Sequence, residues 1–506
     1  MVIFTLHPER EKSLLRRHPW IFSKAIASVT KDGQPYSKQE IAPGTLVAVH
    51  SALGEFCAYA HYSPSSQILL RVISFNQDDA QHDPQASGGF SLRPNFIYER
   101  LQQAINKRSA LYAEGNHGLR LVAAEGDLLP GLIIDLFNEV VSIAISSWGM
   151  EALFSEIVTA LYQLLPTCVF YERSDTKARL KENLPLRAGL IDPQNPSTKV
   201  NLVNDKGENL PQSQCITALT MADGQRRTLD ELVPPTLYVR EHDLIDIPID
   251  VRYGHKTGGY LDQRASRFYT YELCKQLKQE APLPLLNPKA VLLQSALAAS
   301  IAANSPEPEA KKHDPKMQEP KKHGSNMHGP KILNCFSYTG GFGLAALKGG
   351  ASQVVNVDVS VHALAAAKAG IAHNHLDPGR CKLVTADVFT FLRNEVKAGH
   401  KYDVVILDPP KFIENKSNLV RGCRGYQDIN RLGMLLVRPG GHLLTFSCSG
   451  LMTEELMQKI LADAALEAQV QAQLVTTLRQ DRDHMVSLPC PESFYLKGFD
   501  LLISPL

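Results

Sequence analysis

The 506-residue sequence has no apolar run approaching the roughly 18 residues that a membrane span needs, so no membrane association is expected. Its nine cysteines are widely spaced and include no C-x-x-C pair, which argues against both a disulfide framework and a zinc site. No metal is assigned. Net charge is nearly absent too: 53 Lys and Arg oppose 52 Asp and Glu, so any nucleic-acid binding must rest on local patches. The opening stretch MVIFTLHPEREKSLLRRHPW lacks an apolar block followed by a small-residue cleavage site, and a cytoplasmic protein is expected. The dinucleotide fingerprint G-x-G-x-x-G is missing as well, which disfavours a nicotinamide dehydrogenase.

What is present divides into three parts, as the length leads one to expect. Residues 1–78 alternate strand-like runs (GTLVAVHS, EFCAYAHY, ILLRVISF) with Gly, Pro and Ser turns, the pattern of a small β-rich domain. Residues 93–235 combine a helical stretch near Tyr98 to Glu114 with the apolar runs GLIIDLF and VVSIAIS, a central α+β domain with a polar insertion at about 190–228. Residues 236–506 form the third part, interrupted at about 280–330 by a segment expected to be disordered. Its Lys-Lys-His repeats lie between prolines, and nothing fixes a ligand geometry for His313, His323 and His328. From Lys331 short apolar strands alternate with helices, which predicts a doubly wound α/β sheet of Rossmann-like type. The late run FYLKGFDLLIS reads as an edge strand.

Ligands of such sheets sit at the carboxyl ends of the strands. The first strand ends in NCFSYTGGFG, where Gly340, Gly341 and Gly343 allow a tight turn and close approach to a ligand. The second ends in Asp358, whose carboxylate can accept from both hydroxyls of a ribose. Asp387 follows the third, placed to meet an adenine amino group, and the fourth ends in Asp408-Pro409-Pro410-Lys411-Phe412. One acid at a strand end is commonly a helix cap; four successive strand ends with such features ask for more. The run HLLTFSCSGLM then puts a thiol, Cys448, where a buried strand stops.

The order FSYTGGF, VVNVD, TADVF and ILDPPKF resembles the motifs of class I S-adenosylmethionine methyltransferases. With YGHKTGGYLDQRASR, RGYQDIN and FSCSGLM added, the chain resembles the bacterial 23S ribosomal RNA large-subunit methyltransferase I family. The likeness extends to REKSLLRRHPWIFSKAI and YERSD; departures are Gly259, where the family usually has an aromatic, and AAEGDLLPGL. The resemblance implies a PUA-like first domain, S-adenosylmethionine as cofactor, and methylation of carbon 5 of a cytosine. It implies cofactor contacts from Phe336, Ser337, Tyr338, Gly340, Gly341, Asp358, Asp387, Asp408 and Pro409, with Cys448 and Asp408 catalytic. Carbon 5 of cytosine is a poor nucleophile, and a thiolate adding at carbon 6 activates it. Thr453 is placed to cap a helix just beyond Cys448, while Glu454 and Glu455 oppose any dipole benefit to the thiol. Cys335 reads as core, and Cys423 as a weaker candidate for assisting release.

For RNA, Arg10, Lys12, Arg16 and Arg17 with Trp20 offer phosphate contacts and a stacking surface, and YERSDTKARLK adds Arg173, Lys177, Arg179 and Lys181. Lys411 and Arg424 are further candidates near the site. The target base must be unpaired or flipped, so naked or partly assembled 23S ribosomal RNA is the expected substrate, and a homodimer is compatible with the sequence. A guanine-N7 methyltransferase, which requires no thiol, and a non-catalytic RNA-binding assembly factor are the alternatives.

Overall fold

A computed structural model describes residues 1–196, 216–221, 223–279 and 329–506. The segment expected to be disordered at about 280–330 therefore lies almost wholly outside the described residues. Within the stretch read as a polar insertion, Ala218–Thr220 and Arg226–Thr228 pair as a short antiparallel hairpin. No helix among the described residues is long and apolar enough to cross a membrane.

Seven strands between Val2 and Ser74 form the first sheet, and five strands from Gly118–Ala123 to Arg187–Ile191 lie side by side in chain order as the second. The second sheet is antiparallel except where Val140–Ile145 and Val169–Ser174 run parallel, joined through the helix Phe154–Leu164. These strands are built of β-branched and aromatic residues that pack on both neighbours. Tyr59 and Ile73 of the first sheet share one core with Leu101, Ile134 and Leu161 of the central part. Phe137 and Tyr171 in turn share a core with Ile249, Phe342 and Phe446 of the third. Each fully buried side chain of this kind contributes about 1.5–3 kcal/mol, so the junctions between sheets are apolar cores and not loose contacts.

The third sheet carries the site, and its strands are labelled here: β1 Lys331–Cys335, β2 Gln353–Asp358, β3 Cys381–Thr385, β4 Tyr402–Leu407, β5 Val437–Ser447, β6 Val470–Arg479 and β7 Lys497–Pro505. Its helices are α1 Arg264–Gln279, α2 Gly341–Lys348, α3 Val361–His373, α4 Val388–Lys397, α5 Leu419–Leu436 and α6 Glu454–Ala468. The order β3-β2-β1-β4-β5-β7-β6 is parallel through β5 and antiparallel beyond it. Helices start where polar side chains stop the strands' apolar runs: Ser360 accepts from Ala363 N at 3.1 Å, Asp387 from Thr390 N at 2.9 Å, and Thr453 from Leu456 N at 3.1 Å. The expectation that FYLKGFDLLIS supplies an edge strand is overturned. β7 is paired on both sides, by β5 and β6, and the edge is β6, whose side chains are mostly exposed.

Candidate active site

The carboxyl ends of β1, β2, β4 and β5 open on a cavity of about 230 Å³. Phe336, Ser337, Tyr338, Gly341, Asp358, Asp408, Pro409 and Cys448 all line it. The turn after β1 is strained: Phe336 and Tyr338 hold φ values of 58° and 48°, a left-handed conformation rare for aromatic residues. Gly340 has φ 77°, and a Cβ there would meet the Cβ of Ala367 at 2.9 Å. Asp358 ties this turn to β2, its Oδ2 accepting from Tyr338 N and its Oδ1 from Ser360 N, both at 2.8 Å. Each carboxylate oxygen keeps a lone pair for another donor.

The cavity fits a nucleoside-bearing cofactor. Ser337 Oγ is buried in its wall without a partner among the described residues, and Gly341 brings bare backbone to the same wall. Asp387 stands elsewhere: it is exposed, caps α4 through both the N–H and the hydroxyl of Thr390, and does not line the cavity. Cys335 is buried within β1, and Cys423 packs half-buried against the core from α5.

Electrostatics at the far end of the cavity centre on Asp408 and Cys448. Burial and the neighbouring charge of Asp262 push the Asp408 carboxyl up to about 7, against the pull of Lys256. Burial and Asp408 push the Cys448 thiol up, with Lys256 and Lys411 opposing. The helix after Cys448 begins only at Glu454, so its amide dipoles do not outweigh these effects.

The loop that enters α1 supplies groups that sequence reasoning left without a role. The His255 ring stacks on Tyr338 at 4.7 Å, and Lys256 Nζ lies 2.5 Å from Asp262 Oδ2. Asp262 also accepts from Tyr495 Oη at 2.7 Å, and Gln263, 2% exposed, has both amide atoms unpartnered among the described residues. The signal was the density of polar residues around glycines in YGHKTGGYLDQRASR. At Gly259 within it a Cβ would meet Ile249 Cδ1 at 2.3 Å, so a larger residue requires the end of that side chain to move.

The basic residues divide. Arg10, Lys12, Arg16 and Arg17 are exposed around the short helix Lys12–Leu15, and none lines the cavity. Trp20 is half-buried, and its Nε1 donates to Glu125 Oε1 at 3.0 Å. Arg173 and Arg179 are buried: the first donates to Val251 O at 2.6 Å and Gly254 O at 2.9 Å, the second to Glu151 Oε2 at 2.7 Å. Neither is free for RNA. Lys177, Lys181 and Lys411 line a wide groove beside Gly450 and Leu451, together with Glu414, Glu454 and Glu455, and Arg424 is exposed on α5.

Residues 4–75 match the family model of a PUA-like domain, and residues 321–476 that of an S-adenosylmethionine-dependent methyltransferase. The chain is 39% identical over 494 residues to a protein of Tolumonas auensis named ribosomal RNA large subunit methyltransferase I, covering 97% of both chains. A protein of the same name from Yersinia pseudotuberculosis is 39% identical over 491 residues, 97% of this chain and 96% of that one. Among solved structures, one from Streptococcus mutans assigned to the S-adenosylmethionine-dependent methyltransferases superposes with a TM-score of 0.66 at 19% identity, covering 99% of this chain and 100% of that one. Another methyltransferase structure, solved with S-adenosylhomocysteine, gives 0.67 at 20% identity over 99% and 100% of the two chains.

Proposed function

Since this chain belongs to the ribosomal RNA large subunit methyltransferase I family, whose members use S-adenosylmethionine, we propose that it methylates carbon 5 of a cytosine in large-subunit ribosomal RNA through a transient Cys448 adduct. The observation that carries this reading is the meeting of Cys448, Asp408 and the turn that carries Tyr338 and Gly341 around one cavity at adjacent strand ends. When bound, the cofactor supplies an electrophilic methyl group. The turn Phe336–Gly341 and the Asp358 carboxylate would hold its nucleoside, with Ser337 Oγ a free polar group in the wall.

Cys448 Sγ forms a bond to carbon 6 of the base, and the ring electrons move to carbon 5. Carbon 5 takes the methyl group, a base removes its proton, and the Sγ–C6 bond breaks with the electron pair returning to sulfur. A carboxyl that titrates near 7 is suited to exchange protons with the ring at neutral pH, and this is the role given to Asp408. Pro409 fixes the backbone behind it.

The expected substrate is RNA in which the target base is unpaired, naked or partly assembled, because carbon 6 has to reach a thiol inside a cavity. Lys177, Lys181 and Lys411 are the lysines best placed to meet its phosphates near the site, while Arg10, Lys12, Arg16 and Arg17 would meet RNA at a distance.

Mass spectrometry of large-subunit RNA after incubation with S-adenosylmethionine and the wild-type protein or Cys448→Ala tests the reading. Methylcytosine from the wild type and none from the variant is expected. Methylguanosine as the product, or undiminished methylcytosine from the variant, overturns it.

A further inference from the structure

Lys256 sits on a backbone that few lysines adopt, with φ 55° in the left-handed region. Its place is held from outside the loop. Arg173 of the central sheet donates to Val251 O and Gly254 O at 2.6 and 2.9 Å, and Ser142 Oγ donates to Thr257 O at 2.8 Å. Thr257 Oγ1 in turn donates to Asp135, which is fully buried. So held, the ammonium of Lys256 lies 2.5 Å from Asp262 Oδ2, 4.4 Å from the centre of the Tyr260 ring and 5.7 Å from that of Tyr495. Asp262 is 2% exposed, and its other oxygen, Oδ1, has no partner among the described residues.

Lys256 and Asp262 line the same cavity as Cys448 and Asp408. An ammonium there favours the thiolate of Cys448, and the Asp262 carboxylate favours the neutral form of Asp408. Other groups face the same atoms: Lys411 and Lys497 face Cys448 from beyond β4 and from β7, Tyr260 and Tyr426 face it from the loop and α5, and Arg267 faces Asp408 from α1. His484 faces Asp262. None substitutes for Lys256. Arg267 donates to Glu241 Oε2 at 2.9 Å, Lys497 to Tyr495 O at 3.1 Å, and Lys411 is exposed and screened by water.

We propose that the Lys256–Asp262 ion pair is a positioning device that moves a proton from Cys448 to Asp408 before attack, and that the central domain holds it in place. The S–H bond breaks with its electron pair left on sulfur, and the proton forms an O–H bond on the ionised carboxylate. The thiol–carboxyl pair keeps a single negative charge throughout, now on the nucleophile, and the carboxyl is left able to donate to the base. The proposal rests on Cys448 being the nucleophile.

Alkylation of the full-length protein by iodoacetamide across pH, followed at the Cys448 peptide by mass spectrometry, tests it without requiring turnover. Lys256→Gln is expected to move the midpoint of Cys448 alkylation upward by about one pH unit, and Lys256→Arg to restore it. Asp262→Asn, which leaves the ammonium uncompensated, is expected to move it downward. A role in folding alone would shift both neutralised variants the same way or neither. An unmoved midpoint in Lys256→Gln, shifts of the same sign in the two variants, or no rescue by arginine overturns the proposal. If Lys256→Gln does not fold, Asp262→Asn alone decides, an unmoved or raised midpoint counting against the proposal. Loss of the Cys448 assignment would show separately, as methylcytosine formed by Cys448→Ala.

Discussion

At pH 8 the Asp408 carboxyl is mostly ionised, and in its cavity that charge stands near Asp262. Folded, the group titrates at about 7; unfolded, it returns towards 3.8. The native chain therefore binds more protons between those values, and stability falls as pH rises through that window. Asp408→Asn removes the charge and is expected to stabilise the protein at pH 8 by roughly 2 kcal/mol relative to wild type, after discounting for partial exposure, with no such gain at pH 4. It should also abolish methyl transfer. Thermal unfolding at the two pH values checks the first point, and an equal difference at both would refute the raised carboxyl. Asp408 itself was legible in DPPKF. Its raised proton affinity was not, because both its causes, burial and the charge of Asp262 from far away in sequence, arise only through the fold. Asp387 shows the converse: a strand-end acid whose side chain serves a helix start.

At the scale of elements, the turn from β1 into α2 concentrates what the sequence told plainly, since glycines in FSYTGGFG are costly unless the backbone needs them. Gly340→Ala would place a Cβ against Ala367 in a left-handed conformation. A loss of at least about tenfold in S-adenosylmethionine affinity, measured by calorimetry, is expected, together with destabilisation of about 1–3 kcal/mol. The strand periodicity also predicted β1 to β5, and β7 as a strand. It missed β6 and put β7 at the edge because an edge strand and an inner one differ in their neighbours as well as in their own residues: the alternation in VQAQLVTTLR does not say which side of FYLKGFDLLIS it will cover.

At the scale of the whole molecule, buried ion pairs join segments far apart in the chain. Arg264 is fully buried against Asp481 at 2.6 Å and Asp483 at 3.0 Å. Arg108 of the central part donates to Asp127 at 2.7 Å and to Asp483 O at 2.8 Å, and Asp483 Oδ2 accepts from Arg120 N at 2.9 Å. Arg264→Met leaves Asp481 without its counter-ion and Asp483 with His484 alone, and is expected to cost about 3–5 kcal/mol, read by denaturant unfolding. Replacing Asp481 and Asp483 by Asn in the same variant should recover part of that loss. No periodicity or motif announces such pairs, since each charge looks like an ordinary surface residue until its partner arrives from another part of the chain. Strands of all three large sheets were legible because each sheet has its own pattern of apolar runs; the cores shared between sheets were not.

The slot that β7 occupies between β5 and β6 also governs the order in which the protein can be completed during synthesis. Strand β5, which leads into Cys448, has an open edge until the residues from Lys497 onward have left the ribosome, so a nascent chain halted before them carries that thiol on an unfinished sheet.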